Sequence, residues 1–287
     1  MSLPMPRAAA PLISDDDFLK FREFFYRKTG IKFEKNKRYF VDKRLLERMA
    51  ISNFDSFADY FERVRFQPSG LELQALVNSM TVNETYFYRE DYQLKCLALS
   101  ILPEIAASFS RGDAIKIWSI PCSTGEEPYS IALFLLEYWK DVDDFDVEIV
   151  ASDIDTAVIQ KARLGIYDER ALQHVSAETI KKYMTRTNDG RHQVVSAIRD
   201  SIKFSQVNIL DPNVAGRHVG FHVVFCRNLL IYFDDLSRRE AAEAIFASLA
   251  PGGFVCLGHS ESMSRISSLF NVRKFPEAIV YQKPVIA

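Results

Sequence analysis

Apolar residues recur at helical spacing from residue 14 to about residue 78. Phe18, Phe21 and Phe25 share one face behind an acidic start, Asp15-Asp16-Asp17. Val41, Leu45 and Met49 lie four apart and predict a second helix over Lys37 to Met49. Phe54 to Val64 and Leu71 to Met80 continue the pattern, and Phe66-Gln67-Pro68-Ser69-Gly70 breaks it. A linker from Thr81 to Glu90 leads into a helix expected over Asp91 to Ala107.

From Lys116 onward the pattern changes to alternating strand and helix. Strands are expected at Lys116 to Ile120, Val147 to Asp153, Ile202 to Val207, His222 to Cys226 and Phe254 to Leu257. A terminal hairpin is expected from Val272-Arg273-Lys274-Phe275 and Ala278-Ile279-Val280-Tyr281. Gly165 to Asp200 interrupts the alternation with a polar helix near Ala177 to Met184 and a β-like run around Gln193-Val194-Val195. The fold class is therefore α/β, a doubly wound Rossmann-like domain with a small inserted β-subdomain, preceded by a small all-α domain. The expected layout is a disordered tail at 1–13, a helical domain at 14–80, a linker and helix at 81–110, and the α/β domain at 111–287 with its insertion at about 165–200.

The first strand-to-helix junction carries the candidate chemistry. Ile117-Trp118-Ser119-Ile120-Pro121-Cys122-Ser123-Thr124-Gly125-Glu126-Glu127-Pro128-Tyr129-Ser130 reads as a buried strand, a tight turn and an amphipathic helix with Ile131, Leu135 and Tyr138 on one side. Nucleotide-type ligands bind at such junctions. One glycine followed by two glutamates would repel a pyrophosphate. Two carboxylates suit a ligand with hydroxyls and a positive charge, and S-adenosylmethionine has both. Asp153 ends the second strand, where an acidic residue takes a ribose hydroxyl pair. Asp155 fits the helix N-cap better and frees Asp153 for that contact. Glu127 taken alone could do no more than favour the helix start.

The chain has 287 residues and 48% apolar content, enough to bury a sizeable core, and no apolar run of membrane-spanning length. Without a signal-type N-terminus it reads as cytoplasmic. Cys96, Cys122, Cys226 and Cys256 are scattered with no CxxC pair, so neither a disulfide framework nor a metal site is expected. The net charge of −2 hides an asymmetry, because Lys20 to Ala50 holds eleven Lys/Arg against four Asp/Glu. A basic helical domain implies an acidic partner. Lys37, Arg44 and Arg48 fall at i, i+7 and i+11 and are the candidate docking stripe; an ordinary solvated face is the alternative. Overall charge disfavours nucleic acid as the partner.

The junction motif, then Ala-Ser-Asp-Ile-Asp-Thr at 151–156, then Phe-Cys-Arg-Asn-Leu-Leu-Ile-Tyr-Phe-Asp at 225–234, resembles the CheR-type chemotaxis receptor methyltransferases. Met80-Thr81-Val82-Asn83-Glu84-Thr85-Tyr86-Phe87-Tyr88-Arg89 is similar to that family's linker motif, and the likeness runs from about Asp17 to Gln282. The resemblance implies a methyltransferase domain that moves the methyl of S-adenosylmethionine to glutamate side chains on the cytoplasmic signalling domains of chemoreceptors. The products would be γ-methyl esters and S-adenosylhomocysteine, in service of sensory adaptation. It implies cofactor contacts at Asn83, Thr85, Arg89, Glu127, Asp153, Asn208, Ile209, Asn228 and Leu229, with Arg89 at the cofactor's carboxylate end. Arg89 and Tyr232 are the candidate catalytic residues, Tyr232 lining the methyl-transfer channel or else packing as a core aromatic. It further implies a monomer without metal or membrane insertion, and docking through the basic helical region. Some family members tether a receptor tail on the inserted subdomain; the short loop Thr187-Asn188-Asp189-Gly190-Arg191 argues against that here. A regulatory module that binds the cofactor without turnover is the competing reading.

Overall fold

A computed structural model describes residues 13–285. Its contacts divide the chain into two compact units that meet between Thr81 and Val82. Of the expected tail, residues 1–12 lie outside the described residues; Ile13 is buried, and its carbonyl accepts from Arg38 Nη2 at 2.8 Å.

The first unit is all helix. Helix α1 (Asp15–Thr29) starts on a capping box in which the Ser14 hydroxyl accepts from Asp17 N and the Asp17 carboxylate accepts from Ser14 N. Gly30, at φ 73°, ends it by returning its N–H to Tyr26 O. A 3₁₀ turn (Lys35–Lys37) precedes α2 (Arg38–Ile51), and α3 (Phe57–Phe66) and α4 (Leu71–Met80) follow. Helix α3 starts three residues later than expected because Ser56 caps it. Phe18, Phe21, Phe25, Val41, Leu45 and Met49 are all buried, as their spacing requires.

The docking stripe needs correcting. Lys37 lies in the 3₁₀ turn and is exposed, and Arg44 pairs with Glu47 at 2.9 Å on the surface. Arg48 turns inward instead. Its Nη2 and Nε donate to the buried carboxylate of Glu72 at 2.9 and 3.1 Å, and the same carboxylate accepts from Ser52 Oγ and the Tyr60 hydroxyl, each at 3.0 Å. Helical spacing fixes a face and not what packs on it, and at Arg48 the α2 surface meets Glu72 of α4.

The second unit begins with the linker and α5 (Asp91–Cys96), a π-helical turn (Leu97–Ile101) and α6 (Leu102–Ala106), which follow one another without a gap across the expected helix. Strand β1 (Ala114–Ser119) leads to α7 (Glu126–Tyr138), and β2 (Asp146–Asp153) to α8 (Thr156–Leu164). The insertion holds β3 (Ile166–Tyr167), α9 (Ala177–Tyr183), β4 (Met184–Arg186), β5 (His192–Val194) and α10 (Ser196–Ser201). The main chain of elements resumes with β6 (Ile202–Gln206), α11 (Val214–Arg217), β7 (Phe221–Cys226), α12 (Asp235–Ser248) and β8 (Leu249–Leu257). The hairpin β9 (Asn271–Lys274) and β10 (Ile279–Gln282) closes it.

The seven-stranded sheet runs β6-β2-β1-β7-β8-β10-β9. From β6 to β8 every pairing is parallel, so these strands point their C-terminal ends at one edge; β10 is antiparallel to β8 and β9. The insertion forms its own antiparallel sheet, β3-β5-β4, closed by the short turn in which Thr187 N donates to Arg191 O at 2.8 Å. The fold is the expected one.

Helix α7 departs from the amphipathic expectation. Residues 128–135 are buried all round, whereas Tyr138 is exposed. The linker covers one side: Tyr88 N donates to Ser130 Oγ at 3.0 Å, and the Tyr88 and Phe134 rings meet edge-on. The insertion covers another, where Tyr183 and Lys182 both donate to Glu137. Under the sheet Trp118 is fully buried, stacks on His218 and Phe221, and donates from Nε1 to Ser152 Oγ at 3.0 Å. All four cysteines are buried and free, and all lie in this unit; burial pushes their thiols up, Cys96 to about 12.

Candidate active site

In open parallel sheets ligands bind beyond the C-terminal strand ends, where the chain order reverses. Here that point lies between β1 and β7, and most of the candidate residues converge on it. The turn after β1 is tight. Ser123 has φ 48°, and its N–H donates to Asp153 Oδ2 at 2.9 Å. Gly125 has φ 97°, and a Cβ there would stand 2.8 Å from the Tyr167 hydroxyl and 2.9 Å from Ala162 Cβ, so only glycine fits.

Asp155 is the cap of helix α8, as expected, and its Oδ1 accepts from Ala157 N and Val158 N. Asp153 is buried at the end of β2, and its carboxylate accepts backbone N–H groups from Ser123, on Oδ2, and from Asp155, on Oδ1 at 2.9 Å, with Ile154 a further backbone donor. Burial pushes its carboxyl up to about 6, and the backbone donors oppose the shift. Asn83 Nδ2 donates to Asp155 Oδ2 at 3.0 Å while its carbonyl accepts from Ser123 Oγ, which ties the linker to this turn. Val207 N donates to Asp153 O, bringing Asn208 and buried Ile209 alongside; Asn208 Oδ1 accepts from Leu210 N at 3.1 Å and so also shapes its own turn. Thr85 is half-buried in the linker.

The two glutamates of α7 separate. Glu126 is buried and accepts from Thr124 Oγ1 at 2.6 Å. Glu127 Oε1 accepts from Ser119 Oγ at 2.8 Å and Oε2 from Arg227 Nη1 at 3.0 Å. Burial raises the Glu127 carboxyl and the Arg227 guanidinium opposes the rise.

Arg89 Nη1 donates to Glu84 O at 2.9 Å, and its guanidinium lies 5.9 Å from the Tyr86 ring centroid. Tyr232 sits at the rim, 36% exposed, which corrects the core-aromatic alternative. Burial raises its hydroxyl and the Arg89 charge opposes that, so the two side chains face one electrostatic environment. Asn228, at φ 58°, and Leu229 follow β7 directly. Among the described residues, four of the five non-glycine positions with positive φ, namely Tyr88, Glu90, Ser123 and Asn228, lie in these segments. Backbone strain concentrated in this way marks functional loops.

The donor set therefore offers buried carboxylates for hydroxyls and an ammonium, and a guanidinium for a carboxylate. Comparison with known proteins agrees. The model described as "CheR methyltransferase, SAM binding domain" matches residues 83–279, and "CheR methyltransferase, all-alpha domain" matches residues 16–81. The chain belongs to the CheR methyltransferase family. It is 51% identical to Chemotaxis protein methyltransferase 2 of Vibrio cholerae serotype O1, over 95% of this chain and 94% of that protein. It is 38% identical to Chemotaxis protein methyltransferase 2 of Pseudomonas aeruginosa, over 88% and 89% of the two chains. With the Chemotaxis protein methyltransferase of Salmonella typhimurium it shares 33% identity, over 91% and 88%. The cofactor of this CheR domain is S-adenosylmethionine. Among the described residues no cluster of His, Cys, Asp and Glu is arranged to hold a metal ion.

Three site residues of this CheR domain escaped the sequence reading. Arg227 and Glu90 form the ion network behind Glu127. Glu261 Oε2 accepts from Asn228 N and Gly258 N, at 2.8 and 2.9 Å, and its Oε1 from Leu230 N at 2.7 Å, so one carboxylate shapes the whole loop after β7. Gly258 leaves it room, since a Cβ there would stand 2.7 Å from Asn228 Nδ2. A charged residue directly after the apolar strand Phe221–Cys226 was the available signal for Arg227; Glu261 had none.

Proposed function

We propose that this chain methylates glutamate side chains on the cytoplasmic signalling domains of chemoreceptors, forming γ-methyl esters for sensory adaptation, and that it works in the cytoplasm as a monomer. The observation that carries the proposal is the placement, beyond the C-terminal strand ends, of buried Asp153, largely buried Glu127 held by Arg227, and half-exposed Tyr232 in the field of Arg89, whose carbonyl the same Arg227 binds. The relatives named chemotaxis protein methyltransferases support a chemotaxis protein as the substrate, and the resemblance of the motifs supports glutamate as the acceptor.

S-adenosylmethionine supplies an electrophilic sulfonium methyl. Asp153 would accept from the ribose hydroxyls, Glu127 would face the ammonium, and Arg89 would hold the carboxylate by two parallel hydrogen bonds. Asn83 and Thr85 would border the methionine part, with Asn208, Ile209, Asn228 and Leu229 around the adenosine and amine. The Tyr232 ring would stand beside the sulfonium, an attraction worth roughly 0.5–2 kcal/mol. A substrate glutamate, with an ordinary pKa of about 4.3, is already a nucleophile at neutral pH, so no general base is needed. Alignment and exclusion of water remain as the protein's task, and alignment can supply ~7–11 kcal/mol.

The test is methyl transfer from tritiated cofactor to a panel of receptor signalling domains, followed by alkaline release of methanol. Label that survives alkali would point to a different acceptor atom. Tight cofactor binding with no transfer to any receptor would favour a regulatory module.

A further inference from the structure

Arg227 touches three parts of the site at once. It leaves the end of β7 with its side chain only 3% exposed. Nη1 donates to Glu127 of α7 at 3.0 Å, and Nη2 donates to the carbonyl of Arg89 at 2.5 Å and lies 3.3 Å from Glu90. A buried cation between two carboxylates is a demanding arrangement, tolerated only where the geometry is good. Its strand neighbours Phe225 and Cys226 are apolar and fully buried, so packing alone would favour an apolar residue here.

The surroundings say what the cation does. Apart from Arg227, the groups with the strongest influence on Glu127 are the Ser119 hydroxyl on β1 and the Glu90 carboxylate on the linker, and Glu127 in turn acts on the thiols of Cys122, Cys226 and Cys256. None of these carries a positive charge. With the guanidinium gone, burial and Glu90 would both drive Glu127 toward its neutral acid, which cannot pair with an ammonium. The same guanidinium anchors the Arg89 backbone, and so the point from which that side chain extends over Tyr86.

We propose that Arg227 is a positioning residue for the amino-acid end of the cofactor, holding the Glu127 carboxylate toward the ammonium and the Arg89 backbone beneath the cofactor carboxylate. This rests on the reading of Glu127 and Arg89 given under the proposed function.

Two ligands separate the effect from a general distortion. S-adenosylhomocysteine carries the amine and carboxylate; 5′-methylthioadenosine keeps the adenosine and thioether and lacks both. Calorimetry on wild type, Glu127→Gln, Arg227→Met and Arg227→Lys should be run from pH 6.5 to 8.5. Arg227→Met is expected to weaken S-adenosylhomocysteine about tenfold or more at pH 7, since hydrogen bonds to charged groups are of that size. Its affinity for 5′-methylthioadenosine should change less than about twofold, as expected when only the contacts at the missing end are lost. The loss should shrink as the pH rises and Glu127 ionises again. Arg227→Lys, which keeps a buried cation and guards against a folding failure, should show the same ligand selectivity to a smaller degree, because one ammonium cannot reach all three partners. Equal losses for both ligands would overturn the proposal. If Glu127→Gln weakens S-adenosylhomocysteine and neither Arg227 variant does, Arg227 alone is misassigned. If Glu127→Gln has no effect, the placement of the ammonium itself is wrong.

Discussion

Each unit of this protein sets an arginine against glutamate, and the two constellations differ in how fully they are satisfied. In the helical unit Glu72 takes a fork from Arg48 and hydroxyls from Ser52 and Tyr60, all within 3.1 Å. One cation meets one anion, and the helices themselves supply every partner. In the methyltransferase domain Arg227 stands between Glu127 and Glu90, at a strand end flanked by positive-φ residues. Two largely covered carboxylates share one guanidinium, and a third, the buried Asp153, is pushed up to about 6. A closed pair stabilises a helix contact. An excess of buried acid at a strand edge waits for a cationic, hydroxyl-bearing ligand.

The sharpest way to break this contrast is at the closed pair. Arg48→Met leaves the buried Glu72 carboxylate without its counter-charge and should cost about 3–5 kcal/mol of stability, read by chemical denaturation. S-adenosylhomocysteine affinity should not move under conditions where the variant is folded. A loss of cofactor affinity in that variant would mean that the pair is not purely structural.

Arg89→Ala should do the opposite. We expect cofactor affinity and kcat/KM to fall by about tenfold to 10²-fold, the worth of hydrogen bonds to a charged carboxylate, with a thermal midpoint near wild type. Normal receptor methylation by this variant would return Arg89 to the status of a linker residue.

Asp153→Ala should weaken S-adenosylhomocysteine by roughly 1.5–3 kcal/mol, the worth of hydrogen bonds to a charged acceptor. The pH dependence has a defined sign. The native carboxyl titrates at about 6, above its ordinary value of 3.8, so the unliganded fold favours the neutral acid. This group's contribution to stability is present below pH 3.8 and is lost as the pH rises through about 6. Ribose hydroxyls prefer the carboxylate, so wild-type affinity should fall as the pH drops below about 6, with protons released on binding. Calorimetry in buffers of different ionisation enthalpy reads that release, and Asp153→Ala should abolish it.

The smallest effect belongs to the surface. Reversing Lys37 and Arg44 to Glu should raise the receptor KM several-fold at low salt, since exposed pairs are worth ~0.2–1 kcal/mol each. The difference should fade as ionic strength rises, because screening acts over about 8–10 Å. A receptor KM unchanged at low salt would make these residues an ordinary solvated face.

What the sequence disclosed follows from period and from turn chemistry. The five parallel strands of the large sheet were legible because strands buried on both faces read as apolar runs, as Ile115, Ile117 and Trp118 do in β1, whereas the antiparallel β9 and β10 were legible as two short β-like runs separated by a turn. Asp155 could be told from Asp153 as the cap, because a cap must immediately precede its helix. Arg48 was misread because helical spacing names a face without saying what packs on it, and its partner Glu72 lies 24 residues away. The burial of α7 was missed for the same reason: its cover comes from the linker and from the insertion. Glu261 acts on the backbone of a loop some thirty residues upstream, a contact that only the closed sheet creates.

The four cysteines turn this domain into its own stopwatch. All sit in the second unit, all are buried, and their raised pKa values leave almost no thiolate at neutral pH. A disulfide reagent can therefore modify them only when the sheet and its covering helices open. The rate at which the thiols react then clocks the opening of the methyltransferase domain, silent to the fraying of the helical unit, whose described residues contain no sulfhydryl. Cofactor that seats between Asp153 and Glu127 should slow that clock in proportion to its occupancy, giving a label-free measure of binding in the unmodified chain.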